Sequence, residues 1–214
     1  MFGDYSAALK FTETCKLSHE SSFLSMFLYP VYLFYSGLVS LELAKNIDER
    51  DALVESAKES ISKLKLLSDN APMNFQNKCR LLQAELAVVV GNDQQAKVLY
   101  QESIKLSQQH GFIHEEALSC ERAGLFYLNI DSSSASELLK QSYKCYARWG
   151  AVEKAKKFKK DYSSYLDIKS LDSRGACSFS NSDLQLDDSS NVSKLTETSA
   201  ATLITSHTDK KRKL

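Results

Sequence analysis

Sliding the chain along itself by 39 residues lays Ala84 on Ala123, Ala96 on Ala135, Leu99 on Leu138, Ser103 on Ser142 and Gly111 on Gly150. The stretches GNDQQAKVLYQESI and NIDSSSASELLKQSY then fall in the same place. Self-similarity at a fixed spacing marks a repeat architecture: a unit that cannot bury its apolar face alone stacks on its neighbours. Small residues at fixed positions let the two helices of a hairpin approach closely. Larger ones on the following turns fill the space between hairpins.

Periodicity identifies the unit as helical. Phe75, Cys79, Leu82, Leu86 and Val90 recur at spacings of three and four and form one stripe, with Lys78, Arg80, Gln83 and Glu85 largely off it. The first 165 residues contain no β-branched alternation flanked by hairpin turns, and the chain has only two prolines, Pro30 and Pro72. Apolar spacing and punctuation predict helices near 4–18, 30–45, 49–67, 75–90, 94–109, 113–129, 134–148 and 151–165. Gly91, Gly111 and Gly150 sit where helices stop, as suits a residue that enters the left-handed conformation without penalty. The expected fold is therefore all-α: a right-handed α-solenoid of about four antiparallel hairpins with tetratricopeptide-like packing, its unit longer than the standard repeat of about 34 residues.

The opening stretch FGDYSAALKF, from Phe2, aligns with VGNDQQAKVLY: a glycine, a short polar turn, an alanine and an apolar stripe. The alignment predicts a partner helix before residue 1, so that residues 1–165 form a repeat domain truncated at its N-terminus. Beyond Tyr165 the character changes. Residues 166–214 hold 15 serines and threonines, one aromatic residue (Phe179) and seven charges of each sign. Such a stretch cannot bury enough apolar area to offset its ordering entropy, and it reads as a disordered linker or tail.

Charge and cysteine usage exclude several classes. The 27 basic and 27 acidic residues cancel, so no whole-molecule field draws the chain to nucleic acid or anionic lipid. Cys15, Cys79, Cys120, Cys145 and Cys177 are scattered without a C-x-x-C pair, which fits a reducing cytoplasm rather than a disulfide framework or zinc site. The most apolar window, FLSMFLYPVYLFYSGLV from Phe23 to Val39, approaches the length of a membrane span. Pro30, Ser25 and Ser36 interrupt it, and a helix starting at Pro30 accounts for it better.

No motif supplies the backbone device for phosphate binding or serine nucleophile chemistry, and no cofactor, metal or catalytic residue is expected. Ser18-His19-Glu20 has the form of a phospho-accepting triplet but continues Ser21-Ser22-Phe23, without the residues that follow such a histidine. His110 and His114, followed by Glu115 and Glu116, lack the H-E-x-x-H order of a zinc protease. They read as a helix end and a first-turn residue, with the two glutamates at the positive end of the helix dipole. Tyr100, Tyr127, Tyr143, Tyr146 and Trp149 are candidates for a peptide groove on a concave face, set against the commoner role of aromatics in core packing. Lys210-Lys211-Arg212-Lys213 could be an import signal or phosphate patch, and Ser180, Ser182 and Ser189 lie among aspartates as candidate phosphorylation sites.

The phrases NFQNKCRLLQAELA, HGFIHEEALSCERAGLFYL and CYARWGAVEKAKKF, with LYPVYLFYSGLVSLELA before them, resemble the helical-repeat region of large multidomain hybrid sensor histidine kinases. In that family a protein-kinase-like domain and an ATPase precede the repeats, and a GAF sensor and histidine kinase follow. The likeness spans about three quarters of the chain. It implies a noncatalytic scaffold or regulatory segment that contacts flanking domains or protein partners, with the serine-rich stretch as a spacer. The family's catalytic motifs match nothing here. The alternative is a freestanding adaptor that binds a peptide in its concave groove.

Overall fold

The structure, a computed structural model, describes residues 3–19, 25–45 and 50–166, with no side-chain account of residues 16–19 and 25–27. The chain divides into two compact units, Met1–Leu171 and Asp172–Leu214, and every described residue belongs to the first. The Ser/Thr-rich stretch beyond Leu166, with Cys177, the candidate phosphorylation sites and the terminal basic run, lies outside the described residues.

Eight α-helices and no strand occur among the described residues: α1 (Tyr5–His19), α2 (Ser25–Leu43), α3 (Arg50–Asn70), α4 (Pro72–Val89), α5 (Asp93–Gln109), α6 (Ile113–Tyr127), α7 (Ser132–Arg148) and α8 (Val152–Asp161). The all-helical expectation holds, and each predicted helix has its counterpart. One start differs. The window from Phe23 contains a helix that begins at Ser25 and carries Pro30 inside it, rather than one that opens at Pro30. Near the start of a helix a proline forfeits only one backbone bond, and its fixed φ is already helical. Pro30 is also buried, so packing holds it there. None of the described helices is long and apolar enough to cross a membrane.

Three turns are built alike. Gly91, Gly111 and Gly150 have φ of +80°, +72° and +83°. At each, the glycine N–H donates back three residues and the next N–H donates back five, as in Asn92 to Ala87 (2.8 Å), Phe112 to Ser107 (2.9 Å) and Ala151 to Tyr146 (3.0 Å). This double bond to the last turn stops a helix and satisfies its orphan carbonyls. Helix starts also recur. Asn92 accepts from the Gln95 N–H at 3.2 Å, and Asp4, at the aligned position of the opening stretch, accepts from the Ala7 N–H at 3.0 Å. Asp131, aligned with Asn92 by the 39-residue shift, caps α7 by accepting from the Ser133 N–H.

Consecutive helices pack against one another, and in addition α2 meets α4 and α4 meets α6. The repeated small residues lie in these seams: Ala84, Ala96, Ala123 and Ala135 are all fully buried. Ser103 and Ser142, also fully buried, each donate at 2.8 Å to a carbonyl of the preceding helix, on Asn77 and Ala117. Leu99 is buried, whereas its counterpart Leu138 is half-buried.

The α4 stripe is broader than its spacing suggests, because α4 touches α2, α3, α5 and α6. Leu81, Ala84 and Asn77 are buried beside Cys79 and Leu82. Val90 is 59% exposed at the helix end, and Glu85, expected off the stripe, is fully buried. A second core cluster joins Ala117, Leu139, Cys145, Tyr146, Ala155 and Phe158 to Leu166. Leu166, the first residue of the Ser/Thr-rich stretch, is therefore part of the folded unit.

Candidate functional site

The buried Glu85 of α4 is the centre of a polar cluster that draws on five helices. Arg122 of α6 grips it through two bonds, Nε to Oε1 at 2.7 Å and Nη2 to Oε2 at 2.8 Å. The Tyr100 hydroxyl of α5 donates to Oε1 at 2.7 Å. Lys45, just beyond α2, donates to Oε2 at 3.1 Å and to Glu42 of α2 at 2.9 Å. Arg122 also donates to Glu42, and its Nη1 reaches the Tyr5 hydroxyl of α1 at 3.3 Å. Tyr5 and Arg122 are 117 positions apart. This contact sets the start of α1 on the side of α2, α4 and α6 that carries the charges.

Burial by itself would raise the Glu85 pKa. The Arg122 guanidinium outweighs it, with help from Lys45 and the Tyr100 hydroxyl, and holds the carboxyl down at about 2. Glu42 is lowered for the same reason, burial being overcome by Arg122 and Lys45. Tyr100 is pushed well above its ordinary value, first by burial and then by the carboxylate beside it. Glu85 and Glu42 therefore stay ionised, and Tyr100 stays protonated, across the neutral range.

Beside the cluster a cavity of about 330 Å³ opens between the helices. Its apolar wall is Val88, Leu125, Phe126 and Ile130. Its polar wall includes Glu42, Lys45, Arg122 and Tyr100, with Asp93 and Asn129 near the turns that precede α5 and α7.

The five aromatic groove candidates are not gathered there. Tyr100 lines the cavity but is 1% exposed and serves Glu85. Tyr127 reaches it only indirectly, edge-on to Phe126 at 5.3 Å, while Phe126 packs on Tyr100 at 5.6 Å. Tyr143 is half-buried against the second core cluster. Tyr146 is fully buried and donates to Glu121 at 2.6 Å, in a smaller cluster where Lys154 also donates to Glu121 at 2.7 Å. Trp149 is 43% exposed and stacks on His114 with ring centres 5.1 Å apart.

His110 ends α5, and His114 lies in the first turn of α6 with Glu115 and Glu116, both buried. Glu115 pairs with Lys78 at 2.7 Å, and Glu116 accepts from Gln108 and Gln141. No group of residues suited to hold a metal ion occurs among the described residues. Cys15, Cys79, Cys120 and Cys145 are free thiols. Burial raises Cys79, Cys120 and Cys145, the last to about 12, which keeps them protonated and poorly nucleophilic. His19 closes α1, and its side chain lies outside the described residues.

Sequence reasoning missed Glu42, Lys45, Glu85 and Arg122 as a group. They are separated by as many as 80 positions, and no spacing rule links residues of different hairpins. A single signal was present. The 39-residue shift lays Gly124 on Glu85 and Leu139 on Tyr100, so a bulky ionisable pair stands where the next hairpin has a small residue against a large apolar one. No protein-family model, curated protein or solved structure matches the chain.

Proposed function

We propose that the chain is a noncatalytic helical-repeat segment with tetratricopeptide-like packing that makes protein contacts as a scaffold or regulatory element, in the cytoplasm, within a multidomain two-component signalling kinase. The observation that carries the noncatalytic part is the engagement of the charges at the cavity. Lys45, Arg122 and Glu42 are turned on Glu85 and on one another, so they serve as ties between helices rather than as groups poised to exchange protons. Contacts between consecutive helices, with α2–α4 and α4–α6 contacts beside them, support stacked hairpins. The kinase setting rests on the resemblance of the repeat phrases. The cavity between α2, α4 and α6 favours one further reading, a freestanding adaptor that holds a peptide there.

Two measurements test this. The reading frame in genomic DNA is expected to run into protein-kinase-like and ATPase domains on one side and a GAF sensor and histidine kinase on the other. A stop codon close upstream with none of these domains downstream would leave the adaptor reading in place of the kinase one. The purified full chain, given magnesium and radiolabelled ATP, is expected to take up no phosphate. Label transferred to His19 overturns the noncatalytic assignment.

A further inference from the structure

We propose that the cavity beside the Glu85–Arg122 cluster seats one basic side chain, arginine or lysine, presented by an extended segment of a protein partner. The inference rests on the protein-contact reading above and names the chemistry of the contact. At about 330 Å³ the cavity lies at the small end of the range for ligand pockets, room for one long side chain rather than a folded element. Its apolar wall of Val88, Leu125, Phe126 and Ile130 suits the hydrocarbon stem of such a side chain.

Charge decides the head group. The cavity's own charged lining balances, Glu42 and Asp93 against Lys45 and Arg122, and the buried Glu85 that Arg122 binds brings the acids to three against two bases. The bases are already committed. Arg122 directs Nε, Nη1 and Nη2 at Glu85, Tyr5 and Glu42, while Lys45 spends two bonds on Glu42 and Glu85. Asp93, by contrast, is exposed at the start of α5, and its carboxylate makes no side-chain hydrogen bond or ion pair among the described residues. An entering cation therefore meets one unengaged carboxylate and a net acidic surround. An entering anion meets bases whose donors are largely taken.

The experiment uses acetylated, amidated pentapeptides Gly-Ser-Xaa-Ser-Gly carrying arginine, lysine, glutamate or leucine at the centre, titrated into the isotope-labelled full chain and followed by amide shifts. The arginine and lysine peptides are expected to move amides of residues 88–93 and 125–130, and Asp93→Asn to weaken them about five-fold, the upper range for an exposed ion pair. Asp93 is exposed, so the variant should fold as the parent does, which an unchanged unfolding midpoint verifies. Equal binding by Asp93→Asn, or binding of the glutamate or leucine peptide at least as tightly, overturns the assignment of a basic side chain while leaving the contact reading intact. If no peptide moves these amides, the assignment falls and the cavity is lost as support for that reading too.

Discussion

Arg122 holds Glu85, 37 positions away in the chain, in a two-point grip between α6 and α4, and both side chains are withdrawn from solvent. The pair ties α4 to α6, while Lys45 and Glu42 extend the tie to α2. A buried pair of this kind is costly to break from one side, because the remaining charge is left without compensation.

Arg122→Met is therefore expected to lower stability by about 3 to 5 kcal/mol. The double variant Arg122→Met with Glu85→Leu should recover most of that loss, since it leaves no buried charge at the pair. Recovery should be partial, because the Tyr100 hydroxyl, which donates to Glu85, then has no acceptor there. Urea denaturation of the three chains measures this. A single variant as stable as the parent would show that the pair contributes nothing.

Acid should weaken the fold through the same carboxylate. The folded Glu85 titrates at about 2 against an ordinary value of 4.5. A depressed folded pKa adds stability that is fully present above the unfolded value and is lost as pH falls toward the folded one. Between about pH 4.5 and 2 the urea midpoint should thus fall, with Glu85 accounting for about 3 kcal/mol of the change. Glu85→Gln, less stable at neutral pH, should show a flatter profile across that window. Parallel profiles for the two chains would count against the assignment.

Gly124 and Leu139 offer a packing test. A Cβ built on Gly124 would stand 2.9 Å from both Cγ and Cδ2 of Leu139, closer than carbon atoms approach. Gly124→Ala should therefore cost about 1 to 3 kcal/mol through overpacking, despite alanine's better helix propensity. In a Leu139→Ala background the clash is gone, and the same substitution should become stabilising by about 1 kcal/mol. A double-mutant cycle by thermal unfolding reads the coupling, and strict additivity would refute the contact.

The turns were legible because their causes are local. Glycine at positions 91, 111 and 150 acts over a few residues, and the 39-residue shift lays Gly111 on Gly150, whereas the side-chain caps Asn92 and Asp131 emerged only in the structure. The aromatic groove candidates read poorly for the converse reason. Tyr143 and Tyr146 pack into one seam and Trp149 stacks on His114, while Tyr100 turns its hydroxyl to a carboxylate on a neighbouring helix. Helical spacing says that a side chain shares a face; it does not say which helix covers that face.

The equivalence of Glu85–Tyr100 with Gly124–Leu139 marks the boundary. Composition, periodicity and repeat spacing by themselves determined that the described chain is helical, where most of its helices end and which small residues lie in the seams, since each follows from backbone conformation and apolar period. Only the tertiary structure decided that Glu85 is buried and ionised, that Arg122, Lys45 and Tyr100 are its partners, and that a cavity opens beside them. A carboxylate on a helix can face water or a guanidinium at equal ease of local geometry; long-range packing sets which one it meets.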